Sequence, residues 1–192
     1  LTPWRNDPVR DEPSEVVWLR DEETGDVSSS TPSPGGGREP YRARHGPGHT
    51  CWEHRRRGLD HLLRVHAPPD GPAVKLVDLR LRDLWDRDRR IAVTFYAEWV
   101  LGTDRTRTAG RLEPSWDEEE RLLTARNPFR GEDRAGRVAF LGSDRPPHGF
   151  TADRAEFLGR NADPGRPAGL ERMGLSETAR PGIDPCAAYQ VH

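Results

Sequence analysis

The sequence predicts an all-β protein, a large antiparallel β-sandwich, from three observations. In residues 77–82, apolar and charged side chains alternate with a period of two, which is typical of a strand with one buried face. Residues 91–101 carry β-branched and aromatic side chains on both faces, as in a strand covered from both sides. Strand-and-turn patterns recur roughly every 8–12 residues, and no stretch longer than about ten residues shows a helical period.

The central prediction is a long β-hairpin. Residues 77–82 form its first strand, residues 83–90 its polar connection, and residues 91–101 its second strand. The second strand is expected in the middle of a sheet that a second sheet covers, because both of its faces are apolar.

The remaining elements follow in chain order from composition. Residues 1–13 contain too many prolines for a helix or a central strand and predict an extended segment. Residues 31–40 and 102–115 have the composition of loops. Strands are predicted at 16–20, 27–29, 41–45, 49–56, 59–67, 121–125, 137–141 and 155–158, with a further strand just beginning at 187–192.

Composition limits the function classes. Thirty basic residues nearly balance thirty-two acidic ones, and Lys75 is the only lysine. Arginines are spread along the chain rather than clustered, which argues against nucleic-acid binding. Nothing resembles a signal peptide or a membrane span, so we expect a cytoplasmic segment without membrane contact.

We expect residues 1–192 to form a single domain that is incomplete at both ends. The chain starts at Leu1 rather than at an initiator methionine, and it stops where a strand is beginning. A strand cut at its start would leave a sheet edge unpaired. The prediction is therefore a fragment of a longer protein.

The densest set of metal-ligating side chains is His45, His49, Cys51 and His54. Their spacing matches no finger-type zinc motif, and on a strand His54 would face away from His49 and Cys51. The prediction is polar hairpin residues and no metal site.

Neither the acidic run at residues 117–120 nor the serines at 28–30 offers a complete catalytic set. The carboxylates are expected to be solvated, and the serines lack a nucleophile elbow. The triple glycine at 35–37 lacks the lysine and the following helix of a phosphate-binding loop.

The six tryptophans divide into two groups. Trp18 and Trp99 lie within predicted strands and are expected in the core. The others lie in loops or near turns, where their rings could stack on sugars or bases: Trp4, Trp52, Trp85 and Trp116.

Six strings, in order, resemble the β-sandwich region of cyclic β-1,2-glucan synthases, which belongs to the cellobiose-phosphorylase family, glycoside hydrolase family 94. They include Trp-Leu-Arg-Asp-Glu-Glu-Thr-Gly at 18–25 and Val-Thr-Phe-Tyr-Ala-Glu-Trp-Val-Leu-Gly at 93–102. The others lie at 2–9, 125–129, 157–161 and 184–188.

This resemblance implies a supersandwich similar in shape to galactose-mutarotase-like domains. In the family, the sandwich precedes a helical linker and an (α/α)-barrel that carries the catalytic aspartate. Phosphorolysis is inverting there, with one carboxylic acid as proton donor and inorganic phosphate as attacking co-substrate. The barrel is not part of residues 1–192, so no residue of this chain inherits the catalytic role and no cofactor is expected.

The resemblance also implies a homodimer in which a loop of the sandwich approaches the neighbouring subunit's active site. That loop corresponds to residues 103–115. Arg105, Arg107 and Arg111 would reach a sugar hydroxyl or phosphate, because guanidinium groups suit oxygen-rich ligands. The alternative for each arginine is a solvated loop position.

Three functional hypotheses remain open at this point. The first is a non-catalytic sandwich of a glycosyltransferase or glycoside phosphorylase that acts on a β-glucan, serving dimerisation and the walls of the sugar site. The second is a free-standing carbohydrate-binding module, and the third a purely structural fragment. The sequence leaves open whether a parent enzyme is anchored in the bacterial inner membrane.

Overall fold

A computed structural model describes residues 1–3, 9, 13–85, 87–129, 136–161 and 163–192. Most of the predicted extended segment, including Trp4, lies outside these residues. Within the described part the chain forms twelve strands: β1 (Glu15–Asp21), β2 (Val27–Ser29), β3 (Tyr41–Gly46), β4 (His49–Arg56), β5 (Leu59–His66), β6 (Leu76–Asp83), β7 (Ile91–Ala97), β8 (Glu113–Asp117), β9 (Leu122–Arg126), β10 (Val138–Leu141), β11 (Gly149–Asp153) and β12 (Pro185–Val191).

The strands build three antiparallel sheets, which confirms the all-β prediction. Sheet A has the order β11-β12-β7-β1-β2, sheet B the order β3-β4-β5-β6, and sheet C the order β10-β9-β8. Helical structure in the described residues is limited to α1 (Arg105–Thr108), α2 (Arg154–Leu158) and two 3-10 turns, Ala109–Arg111 and Ala168–Glu171. None of these helices is long and apolar enough to cross a membrane.

The predicted pairing of residues 77–82 with 91–101 is wrong. β6 pairs along its length with β5 at the edge of sheet B, whereas β7 lies between β1 and β12 in sheet A. A period of two defines which face of a strand is buried, but it does not define the partner strand. The central position predicted for β7 is correct.

Residues 154–158 form helix α2, not the predicted strand. The Asp153 side chain accepts hydrogen bonds from the backbone N–H groups of Ala155 and Glu156 and so caps the helix N-terminus. Phe157 and Leu158 are buried. A helix of five residues is too short to produce a recognisable period.

The predicted loop at 102–115 contains regular structure. Its middle forms α1 and the adjoining 3-10 turn, and its last residues begin β8. The strand predicted as just beginning at 187–192 is β12, which is paired with both β7 and β11. The unpaired edge expected there is therefore not present.

The two faces of sheet A contact separate hydrophobic clusters. One face packs against sheet C, where Trp116 stacks on Phe150 with ring centroids 4.0 Å apart. The other face packs against α2, where Tyr96 stacks on Phe157 at 4.9 Å. The large apolar area removed from water in these layers stabilises the sandwich. Trp18 and Trp99 are buried, as predicted.

Candidate functional site

The arginine segment, residues 103–111, follows β7 after the short connection at residues 98–102. The backbone just before it is fixed, because Trp99, Val100 and Leu101 are buried. Leu101 adopts a left-handed conformation with φ of 42°, and its carbonyl accepts a 3.0 Å hydrogen bond from the Asn127 side chain. The turn after β7 is thereby attached to the loop that follows β9.

The segment is helical because Asp104 caps it. The Asp104 carboxylate accepts a hydrogen bond from the Thr106 backbone N–H at 2.7 Å, and Thr108 donates its hydroxyl to the Asp104 carbonyl. Hydrogen bonds to the carboxylate from the Thr106 hydroxyl and from the Thr106 backbone N–H lower the pKa of Asp104. A defined helical turn thus replaces the loop expected from composition.

Arg105 points inward and anchors the segment. Its guanidinium pairs with Glu98 at 2.6 Å and also with Asp184, which precedes β12. Arg154 of α2 approaches the same two carboxylates, at 3.6 and 3.8 Å. Glu98, Arg105, Arg154 and Asp184 together form an ionic cluster. Because Glu98 is largely buried, removing one of its arginine partners would leave its charge poorly compensated.

Members of the ionic cluster interact with two weak acids, Tyr96 and Cys186. Burial raises the pKa of the Tyr96 hydroxyl. It also raises the pKa of the Cys186 thiol well above its ordinary value. Both groups are therefore protonated at neutral pH. Neither supplies a nucleophile of the kind that covalent catalysis requires.

Arg107 and Arg111 lie on the exposed side of the arginine segment. Residues two apart on a helix point in nearly opposite directions, so anchoring Arg105 inward directs Arg107 outward. Arg111 places its guanidinium carbon 5.6 Å from the centre of the Phe129 ring. Of the three arginines predicted from sequence, the structure therefore leaves two accessible.

Phe129 is a candidate site residue that the sequence reasoning missed. Its side chain is 71% exposed, an unusual position for a phenylalanine. The Asn127 side chain accepts a hydrogen bond from the Phe129 backbone N–H, and this Asx turn presents the ring to solvent. The Asn-Pro pair at 127–128 was the available signal for such a turn.

The arrangement suits binding rather than acid–base chemistry. An exposed aromatic ring can cover the apolar face of a sugar, and a guanidinium donates hydrogen bonds to hydroxyl or phosphate oxygens. We call the set Arg107, Arg111 and Phe129 the arginine–phenylalanine platform. Two nearby carboxylates have other roles, since Asp104 caps the helical turn and Glu98 pairs with Arg105.

Each of the three histidines in the β3–β4 hairpin contacts another group of the protein. His45 approaches the Thr50 hydroxyl at 3.1 Å and His49 the Pro47 carbonyl at 3.2 Å, while His54 is buried and stacks on Tyr41. Across the described ranges, no group of three or more His, Cys, Asp or Glu side chains could hold a metal ion.

The acidic run at 117–120 forms an exposed turn. The Asp117 carboxylate accepts hydrogen bonds from the backbone N–H groups of Glu119 and Glu120, and Glu118 accepts one from the Trp116 indole. These contacts describe a local turn, consistent with the predicted solvation.

The remaining tryptophans form no common platform in the described part of the chain. Trp85 is 46% exposed, but Arg87 and Arg89 lie 4.9 and 5.0 Å from its ring. Trp52 is half-buried in sheet B, and Trp116 stacks in the core. Trp4 lies outside the described residues.

Comparison with known proteins adds two findings. The family model of the glycosyl hydrolase 94 supersandwich domain matches residues 1–192. The chain is also 39% identical over 163 residues to the cyclic beta-(1,2)-glucan synthase NdvB of Rhizobium meliloti (strain 1021), an alignment that covers 83% of this chain. The chain spans about 6% of that relative's length.

Proposed function

The chain belongs to the glycosyl hydrolase 94 supersandwich domains, and from this premise we propose that it is the non-catalytic β-sandwich of a glycosyltransferase or glycoside phosphorylase that acts on a β-glucan. The sandwich supplies one wall of the sugar site, and the catalytic acid is carried elsewhere. The similarity to a glucan synthase supports a glucan as the sugar.

The observation that carries this proposal is the arginine–phenylalanine platform. Arg111 and Phe129 combine a charged donor and an apolar ring within 5.6 Å, which matches the mixed polar and apolar surface of a pyranose. Arg105 acts in the proposal through the ionic cluster, by holding Arg107 and Arg111 in place. A rigid support of this kind reduces the entropy lost on binding.

The proposal extends to the assembled enzyme. We propose that it is a homodimer in the cytoplasm, that the arginine segment faces the partner subunit's active site, and that inorganic phosphate is the co-substrate of phosphorolysis. Arg107 and Arg111 are then the side chains suited to phosphate oxygens. Sedimentation velocity of the longer enzyme tests the dimer, with a monomer contradicting it.

The direct test is calorimetric titration of the 192-residue chain with a β-1,2-linked gluco-oligosaccharide. A single wall should bind weakly, with a dissociation constant on the order of 1 mM. Arg111→Ala and Phe129→Ala should each weaken binding about fivefold or more. Arg64→Ala, which removes an exposed arginine from sheet B, is the matched control and should have no effect.

The same titration distinguishes the free-standing binding module. A self-sufficient module should bind with a dissociation constant of about 10 μM or tighter and should be insensitive to Arg111→Ala. Binding that is equally weak in the platform variants and the wild type would contradict the sugar-wall proposal.

A further inference from the structure

The outer face of sheet C exposes two apolar side chains on its edge strand. Val138 and Phe140 are 49% and 48% exposed, and they point the same way because they lie two residues apart in β10. We propose that this face binds a neutral oligosaccharide and extends the arginine–phenylalanine platform. The proposal rests on the proposed function for the kind of ligand.

Strand register defines the composition of this face. Glu113, Arg126 and Val138 form one row across the three strands, and Ser115, Thr124 and Phe140 form the next. The intervening residues, among them Leu123, Ala125 and Ala139, point to the opposite side and are buried against sheet A. The two rows therefore face away from the core.

The chemistry of the rows fits a neutral polyhydroxyl ligand. Phe140 lies opposite Thr124, and Thr124 lies opposite Ser115, so two hydroxyl side chains follow the ring across the sheet. Thr124 donates its hydroxyl hydrogen to the Ser115 carbonyl at 3.3 Å, which leaves its oxygen able to accept. In the other row a glutamate lies opposite an arginine. Asp117, at the far end of β8, uses its carboxylate to accept hydrogen bonds from the turn at 118–120, so the face carries no excess of positive charge. An anionic ligand such as a nucleic acid would find no cationic patch here.

The face is continuous with the platform. Arg111 lies two residues before β8, and Phe129 lies three residues after β9, so both adjoin the end of the sheet at which the Glu113 and Arg126 row begins. Successive rows on one face are about 7 Å apart. Phe140 thus lies roughly 14 Å along the sheet from the platform, a span of several sugar units.

The size of the face argues for a sugar rather than a second protein. Three strands about 4.8 Å apart and five residues long cover roughly 240 Å². A stable protein dimer buries about 800 Å² on each partner, more than three times as much. A short oligosaccharide needs no larger area than the sheet offers.

The test compares two ligand lengths by calorimetric titration of the 192-residue chain. A β-1,2-linked disaccharide should reach only the platform, whereas a hexasaccharide should also reach Phe140. We expect Phe140→Ala to weaken hexasaccharide binding about fivefold and to leave disaccharide binding unchanged. Phe140→Tyr keeps the ring and should retain affinity. Met173→Ala, which removes an exposed side chain outside sheet C, is the control.

The outcomes separate this proposal from the proposed function. Hexasaccharide binding that Phe140→Ala does not change overturns the extended face, whatever Phe129→Ala does. Loss in both Phe140→Ala and Phe129→Ala supports both proposals. A Phe140→Ala variant that changes the sedimentation coefficient but not sugar binding identifies a protein contact and overturns the proposal.

Discussion

Acidification should destabilise the fold through His61, a buried histidine of sheet B. The His61 side chain is only 5% exposed, and its ring lies 5.2 Å from that of His54. Burial, with a smaller contribution from His54, lowers the pKa of His61 to about 4. The unfolded chain should titrate this residue near its ordinary value of about 6.5.

The sign and size of the effect follow from linkage. Between pH 6.5 and 4 the unfolded state binds a proton that the folded state does not, so the free energy of unfolding falls as pH falls through this window. A pKa lowered from 6.5 to about 4 corresponds to a loss of about 2.5 kcal/mol by pH 4.5, because each pKa unit is worth about 1.4 kcal/mol. The contribution is complete above pH 6.5.

Urea unfolding followed by circular dichroism at pH 7.0, 5.5 and 4.5 measures this loss. His61→Gln removes the titrating group, so its free energy of unfolding should fall less between pH 7.0 and 4.5, by about 2.5 kcal/mol. His45→Gln, at an exposed position of the same sheet, should keep the wild-type pH dependence. An identical pH dependence in His61→Gln and the wild type would refute this reasoning.

Three further predictions concern the fold and the anchoring of the site. Phe157→Ala should lower the free energy of unfolding by about 3–5 kcal/mol, since the ring is fully buried, while Val138→Ala at an exposed site should lower it by less than about 1 kcal/mol in the same urea titration. Asp153→Ala should cost about 1 kcal/mol by removing the cap of α2, and an unchanged urea midpoint would contradict that capping role. Glu98→Gln removes the carboxylate charge that pairs with Arg105 and should increase amide hydrogen exchange across residues 103–111; unchanged protection there would contradict the anchoring.

Local periodicity was sufficient for most strands. β1, β3, β4 and β5 follow alternation and turn residues such as the Gly-Pro-Gly of the β3–β4 hairpin, and the structure has all four close to the predicted bounds. The apolar character of both faces of β7 correctly predicted its central place in sheet A. These properties depend on neighbours within a few residues, so a sequence carries them directly.

Strand pairing was not predictable in the same way. β6 pairs with β5, the strand that precedes it, and not with β7, which follows it. The partners of β7, the strands β1 and β12, lie far from it along the chain in either direction. Helix α2 was missed for a different reason. The Asp153 cap, with Glu156 three residues later, was a helix-start signal, but the short apolar run after it resembles a strand.

The candidate site, too, was predictable from the sequence only in part. Its arginines were identified from the sequence, but the inward role of Arg105 depends on Asp184, 79 residues away. No local pattern specifies such a pair. Phe129 could have been found, because an Asx turn from Asn127 and Pro128 tends to present the following side chain.

Two-dimensional ¹H–¹⁵N NMR of the 192-residue chain tests the central claim most directly. The ligand, a β-1,2-linked gluco-oligosaccharide, is added to several times the expected dissociation constant of about 1 mM. Its binding should shift the amide signals of residues 103–111, Asn127 and Phe129. Signals of sheet B, such as those of Cys51 and Trp52, should stay in place. Shifts confined to sheet B, or none at all, would contradict the arginine–phenylalanine platform as the sugar-binding wall.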